Sequence, residues 1–141
     1  MPRIKKVLFI CTGNSIRSQM AEGLLRALGN DRWDAASAGV LPSYVHPLAV
    51  RVMSELGIDI SHQTSKSVER FLGQTFHHII TLCDYAAVSC PAIPGQGRRS
   101  HWPIDDPISA EGTVEERLVA FRKARDEIRK KIMDFVQAES D

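Results

Sequence analysis

The sequence predicts a single α/β domain over residues 1–141, built on a four-stranded parallel sheet with helices on both faces. Short apolar runs bounded by turn residues alternate with segments of helical spacing along the chain. Strands that alternate with helices pair in parallel and are covered on both sides. A length of 141 residues is enough for one ordinary core.

The elements follow in order. Val7-Leu8-Phe9-Ile10 is an apolar run after Lys5-Lys6, and it predicts a first strand over 6–11. A first helix is expected over about 15–29, closed by Gly29-Asn30. Residues 33–38 read as a second strand ended by Gly39. Leu48, Val52 and Leu56 have helical spacing behind Pro47, with Gly57 as a stop. A short helix is expected over 66–73, a third strand over 77–82 and a fourth over about 98–102. Thr113-Val114-Glu115-Glu116 has the form of a capping box. Behind it, apolar residues at 114, 118, 121, 128, 132 and 135 make one stripe of a long amphipathic helix, whose charged residues read as a solvated face.

Charge and composition exclude several function classes. Lys and Arg number 18 against 17 Asp and Glu, a formal net charge of +1. No basic stripe argues for nucleic acid and no basic amphipathic helix for a membrane surface. The longest apolar runs fall far short of the ~20 residues of a membrane span. Met1-Pro2-Arg3-Ile4 leads straight into a strand with no signal-peptide pattern, so a cytoplasmic protein is expected, as a monomer. The three cysteines, Cys11, Cys83 and Cys90, form no disulfide-scaffold pattern and are expected as thiols at rest. No metal site is expected: there is no Cys-x-x-Cys, and the adjacent His77 and His78 face opposite ways on a strand.

Cys11 is the most informative residue. It ends the first strand and opens Cys11-Thr12-Gly13-Asn14-Ser15-Ile16-Arg17-Ser18, which runs into a helix N-terminus. Unpaired N–H groups and the positive end of the helix dipole favour an anion there. Gly13 and Asn14 suit a loop whose successive N–H groups converge. Arg17 adds a planar fork of donors for a tetrahedral oxyanion. A cysteine pKa falls from about 8.5 to ~3.5–7.5 at a helix N-terminus or beside a cation. Ser18 is placed to hydrogen-bond the sulfur. A lone cysteine is more simply a small buried hydrophobe. Strand, Gly-Asn turn, Arg at plus six and helix in register argue instead for a nucleophile in an anion cradle formed by residues 12–18.

Cys-x5-Arg-Ser directly after a first strand resembles the phosphate loop of the low-molecular-weight tyrosine phosphatase superfamily. Cys11-Thr-Gly-Asn-Ser-Ile-Arg-Ser-Gln-Met-Ala-Glu-Gly is more particularly similar to its thioredoxin-coupled arsenate reductases. Gln19 favours that branch, because the phosphatases usually place Pro there. The likeness continues through Ser37-Ala38-Gly39, His46-Pro47, Gly57-Ile58-Asp59-Ile60, Thr81-Leu82-Cys83, Cys90-Pro91 and His101-Trp102 to Asp105-Asp106-Pro107.

Cys83 and Cys90 flank Asp84-Tyr85-Ala86-Ala87-Val88-Ser89, with Pro91 after them. As a helix, this segment would separate their Cα atoms by about 10.5 Å. A disulfide needs roughly 4.4–6.8 Å. Spacing alone leaves open two small buried residues at the ends of a helix. The resemblance implies instead a pair that relays oxidation away from Cys11 when the segment unwinds. Many relatives carry a further cysteine within the loop, where this chain has Ile16; the relay does not need it.

The resemblance places a general acid before a proline, which maps onto Asp106, with Asp105 the runner-up. Asp-Asp-Pro is otherwise a turn signal. Ile108-Ser109 follow where phosphatases commonly carry aromatics, so no rim for a phosphotyrosine ring is expected. Some arsenate reductases hold potassium beside the loop through Asn, Glu, Ser and Asp. Asn14, Glu22 and Ser37 match three of these, and Lys66 stands at the fourth, where its ammonium would replace the cation unless it is simply solvated. His46, His62, His101 and Trp102 read as packing or capping residues.

The implied function is reduction of arsenate to arsenite, with phosphate and sulfate as competing oxyanions. Cys11 attacks, Arg17 binds, Asp106 protonates, and Cys83 and Cys90 pass the oxidation on to thioredoxin. The electrons come from thiols, so no cofactor is expected. A phosphatase working through phosphocysteine is the alternative, and a non-catalytic oxyanion-binding or redox-sensing module is the second.

Overall fold

A computed structural model of the chain describes residues 4–82 and 97–139; Cys83, Cys90 and the helix expected between them lie outside the described residues. The strands are β1 (Lys5–Cys11), β2 (Trp33–Gly39), β3 (His78–Thr81) and β4 (Arg98–His101). They form one sheet in the order β2-β1-β3-β4, and every pair is parallel. The expected four-stranded parallel sheet is present. β1 is buried on both faces: Val7 through Ile10 are 0% exposed and Cys11 2%.

The described helices are α1 (Arg17–Leu28), α2 (Pro47–Ser54) and α3 (Val114–Glu139). α3 packs against α1 and α2, and α1 against β2. Phe9, Met20, Leu24, Ile79, Ile80, Phe121, Ile128 and Ile132 fill the core. The capping box of α3 is made: Glu116 N–H donates to Thr113 Oγ1 at 3.2 Å, and Thr113 N–H to Glu116 Oε1 at 3.1 Å. Its apolar stripe runs inward from Leu118, whereas Val114, in the first turn, is exposed.

Several boundaries differ from the sequence reading. α1 starts at Arg17 and not at 15, because the preceding carbonyls are bonded elsewhere. α2 ends at Ser54; Gly57, with φ +75°, then turns the chain out of the helix. Residues Val68–Phe71 form a 3-10 turn and not an α-helix, with Ser67 as N-cap. β3 starts at His78; at His77 the side-chain Nδ1 accepts the Lys6 N–H at 2.9 Å, while the His77 N–H donates to Lys6 O at 2.8 Å.

The topology sets the site. From β1 the chain passes to β2 on one side and later crosses to β3 on the other. In open α/β sheets the crevice at such a reversal, beyond the carboxyl ends of the strands, receives ligands. Cys11 stands at that end of β1, level with Gly39 of β2, and Ile10 is level with Thr81 of β3.

Candidate active site

The loop from Thr12 to Ile16 joins β1 to α1. Its carbonyls are held from behind. Val40 N–H donates to Cys11 O at 3.3 Å, Leu41 N–H to Thr12 O at 2.8 Å, Ser43 N–H to Gly13 O at 3.1 Å and His46 N–H to Ser15 O at 3.0 Å. Gln19 Nε2 donates to Asn14 O at 3.0 Å, and Met20 N–H to Ile16 O at 2.9 Å. In a trans peptide the N–H points opposite to the C=O. Six carbonyls turned back therefore direct the N–H groups of residues 12–17 forward. The first turn of α1 has no side-chain cap at Ile16 and no acidic residue, so its donors and dipole add to the same field.

Asn14 holds the bend. Its φ is +47°, and it is the only non-glycine residue with positive φ among those described. Its Nδ2 donates to Ser18 Oγ at 2.8 Å and Ser37 Oγ at 3.0 Å, and its Oδ1 accepts Lys66 N–H at 2.7 Å. Ser18 Oγ lies 2.9 Å from Cys11 Sγ. That oxygen already accepts from Asn14, so the single hydroxyl proton of Ser18 is available to the sulfur. Gly39 allows the loop to lie against β2: a Cβ there would stand 2.8 Å from both Asn14 N and Thr12 O.

A cavity of about 320 Å³ opens over this loop, lined by Cys11, Thr12, Gly13, Ser15, Ile16 and Arg17, and by Ser43, Tyr44, Asp106 and Ile108 across from them. Arg17 is 6% exposed. Its Nη1 donates to Ile104 O at 3.0 Å and its Nη2 to Asp106 Oδ2 at 3.1 Å. Asp106 Oδ1 accepts Ile108 N–H at 3.0 Å, which caps the 3-10 turn Pro107–Ser109. Asp105 lines a separate cavity of about 190 Å³ against α3. Asp106 lines this second cavity as well, but of the two carboxylates it alone also lines the cavity that holds Cys11.

The geometry thus brings together Cys11, residues 12–18 and Asp106. Two residues of the mouth were missed by sequence reasoning, Ser43 and Tyr44; only an aromatic in a loop hinted at the second. Tyr44 and Ile108 are 57% and 48% exposed. The segment after Pro107 carries no aromatic, and among the described residues the one ring at the mouth comes from the 40s loop, Tyr44. His46 stacks on Tyr44 with centroids 6.0 Å apart and caps α2, its Nδ1 accepting Leu48 N–H at 3.0 Å. Its pKa is lowered by burial, and by Arg117 against the opposing pull of Asp106.

The oxygen set matched to potassium does not fit a cation. Glu22 Oε2 is held by Arg26 Nη2 at 2.6 Å, and Glu22 Oε1 by Ser37 Oγ at 2.6 Å. Asn14 Oδ1 is taken by Lys66 N–H. The Lys66 ammonium donates to Thr64 O, and its pKa is lowered chiefly by burial, with Glu22 pulling the other way. Lys66 therefore acts on the loop through its main chain, and Arg26, overlooked in the sequence, makes the direct contact with Glu22.

The model of the Low molecular weight phosphotyrosine protein phosphatase family matches residues 6–140. An arsenate reductase of Halalkalibacterium halodurans is 50% identical over 94% of this chain and 96% of its own length. One from Bacillus subtilis is 43% identical over the same shares. A solved arsenate reductase in the phosphate binding state superposes with TM-score 0.83 and 35% identity, over 97% of this chain and 100% of that one. The tyrosine phosphatase of Erwinia amylovora, at 20% identity and TM-score 0.76, shares the fold. The chain belongs to the low molecular weight phosphotyrosine protein phosphatase family, and within it is similar along nearly its whole length to proteins named arsenate reductase.

Proposed function

We propose that this chain reduces arsenate to arsenite with Cys11 as nucleophile. The observation that carries the reading is one cavity holding a thiol, a fork of guanidinium donors and a carboxyl group: Cys11, Arg17 and Asp106. The relatives named arsenate reductase support the choice of oxyanion.

Arsenate enters with its oxygens on the forward N–H groups and Arg17. The Cys11 thiolate attacks arsenic, forming a sulfur–arsenic bond. One arsenic–oxygen bond breaks, and its oxygen leaves as water with a proton from Asp106. The Cys83 thiolate then attacks the Cys11 sulfur. The electron pair of the sulfur–arsenic bond stays on arsenic, which falls from the +5 to the +3 state and leaves as arsenite. Two thiolates have become one disulfide, which balances the two electrons. Cys90 attacks Cys83 and frees Cys11, and a dithiol protein of the thioredoxin type reduces the Cys83–Cys90 disulfide. Leu82, the residue before Cys83, donates its N–H to Ile10 O at 2.9 Å, which supports delivery of Cys83 to the edge that carries Cys11.

A second reading, hydrolysis of aryl phosphates through phosphocysteine, is favoured by Tyr44 and Ile108 on a mouth wider than a bare oxyanion needs. Arsenate-dependent NADPH oxidation with thioredoxin and its reductase, run beside p-nitrophenyl phosphate hydrolysis, separates the two. The reductase reading expects arsenite release that Cys83→Ser stops after one turnover. Brisk phosphatase turnover unaffected by Cys83→Ser, with no arsenate-dependent oxidation, sinks it.

A further inference from the structure

Behind the oxyanion loop lies a closed circuit of buried hydrogen bonds. Gln19 is 0% exposed and Gln63 8%. Gln63 Nε2 donates to Gln19 Oε1 at 2.7 Å and to Gln19 O at 3.0 Å. Gln19 Nε2 donates to Asn14 O at 3.0 Å and to Thr64 O at 2.9 Å. On the other side Gln63 Oε1 accepts Arg26 Nη1 at 3.0 Å. Arg26 then meets Glu22, Glu22 meets Ser37, and Ser37 accepts from Asn14, which closes the circuit.

Two members fix its direction. A guanidinium can only donate, so the amide oxygen of Gln63 must face Arg26 and its NH2 must face Gln19. The Gln19 amide is then oriented with its own NH2 toward the Asn14 carbonyl. A carboxylate can only accept, so Ser37 must donate to Glu22 and accept from Asn14. Both routes end on Asn14, at its carbonyl and at its side-chain amide. Asn14 in turn donates to Ser18, which leaves the Ser18 proton for Cys11. Gln63 is not among the residues lining the cavity, yet among the described residues it links Gln19, which holds the Asn14 carbonyl, to the Glu22–Arg26 pair.

We propose that Gln63 is a positioning residue for the nucleophile. Through Gln19 and through Arg26 it holds Asn14 in its left-handed conformation, and thereby holds the Ser18 hydroxyl proton on the Cys11 sulfur and the loop N–H groups on the bound oxyanion. This rests on the reading of Cys11 as the nucleophile of an oxyanion loop, but not on the reduction steps that follow.

The test replaces Gln63 with Met, of similar length and without polar donors. Alkylation of Cys11 by iodoacetamide is followed by peptide mass spectrometry across pH, with and without sulfate. In the wild type, sulfate should protect Cys11; absence of protection there ends the reading of the loop and this inference with it. In Gln63→Met the sulfate concentration giving half protection should rise about tenfold, the cost of the buried Gln19 acceptors left without their donor. The pH midpoint of alkylation should move upward. Gln63→Glu keeps the acceptor for Arg26 but lacks the donors to Gln19; it should weaken protection likewise, and it is read alone if the Met variant does not fold. Ile132→Val serves as the stability control, expected to lower the melting temperature and leave sulfate protection unchanged. A lower melting temperature in both Gln63 variants, with protection and midpoint as in the wild type, overturns the proposal.

Discussion

Arg17 and Asp106 are joined by an ion pair, Nη2 to Oδ2 at 3.1 Å, although 89 residues separate them in the chain. The guanidinium also donates to Ile104 O. One side chain from the start of α1 thus fixes the loop after β4, and that loop carries the only carboxylate among the described residues that line the cavity over Cys11. The group that would bind the oxyanion also aims the group that would protonate its leaving oxygen.

Asp106→Asn keeps an oxygen for Arg17 and removes the proton donor. It should lower kcat for arsenate by about 10²–10⁴-fold, the usual contribution of a positioned acid. Asp105→Asn, on the neighbouring cavity, should stay within a few-fold of the wild type. Steady-state kinetics with the thioredoxin couple compares them, and equal losses would remove the assignment of Asp106.

Gly39→Ala should damage the site without touching any reacting group. The new Cβ would meet the backbone at Asn14 N and Thr12 O, each 2.8 Å away, and backbone in a bonded loop yields less readily than a side chain. A displacement of the loop by a fraction of an ångström should cost about 10²-fold in kcat/KM. Circular dichroism should report an intact fold, and an active Gly39→Ala variant would refute the argument.

What was legible in the sequence divides by range. The strand-loop-helix unit around Cys11 was legible because its conformation depends on neighbours in sequence: an apolar run, Gly13, Asn14 and a helix start. The parallel sheet was legible from alternation alone. The start of α1 was not, because the carbonyls of residues 11–15 are claimed by Gln19 and by the chain from Val40 to His46, which sequence spacing does not bring near. Tyr44 on the rim and Gln63 behind Gln19 were invisible for the same reason, since each depends on docking between elements; Arg26 on Glu22 is an i,i+4 pair within α1, legible from helical spacing and overlooked. The choice between Asp105 and Asp106 needed the direction of the turn at Pro107, although the proline itself was in plain view.

Activity should not depend on potassium. Glu22 and Ser37 are held by Arg26, by each other and by the Asn14 amide, and Asn14 Oδ1 by Lys66 N–H, so no open set of oxygens remains for a cation among the described residues. Exchanging potassium chloride for choline chloride at constant ionic strength should leave kcat/KM and the melting temperature unchanged. Arg26→Ala uncovers the Glu22 carboxylate, and its melting temperature should then respond to potassium. A potassium requirement in the wild type would contradict the circuit of contacts.

Stability should fall as the pH drops below about 6.5, and His78 should account for part of the slope. His78 lies between Trp33 and Phe135, 8% exposed as a side chain, with Nε2 3.0 Å from Glu139 Oε1. Its Nδ1 has no hydrogen-bond partner among the described residues. Burial lowers its pKa from 6.5; Glu139 opposes the shift, and Lys5 and Arg98 add to it. A neutral ring donates from Nε2 to Glu139 and leaves Nδ1 as a bare acceptor. Charging the ring would put a proton on Nδ1 where nothing accepts it. Because the folded pKa lies below the unfolded one, the unfolded chain binds more protons in the window beneath 6.5. Stability is therefore complete above that pH and declines as the pH falls toward the folded value. His46, lowered in the same direction by its own burial, adds to the trend. His78→Gln retains a donor for Glu139 but cannot take up the proton, so its melting temperature should vary less between about pH 7.5 and about pH 5.5. Thermal melts of the two proteins across that range give the answer, and parallel pH dependences would remove His78 from the account.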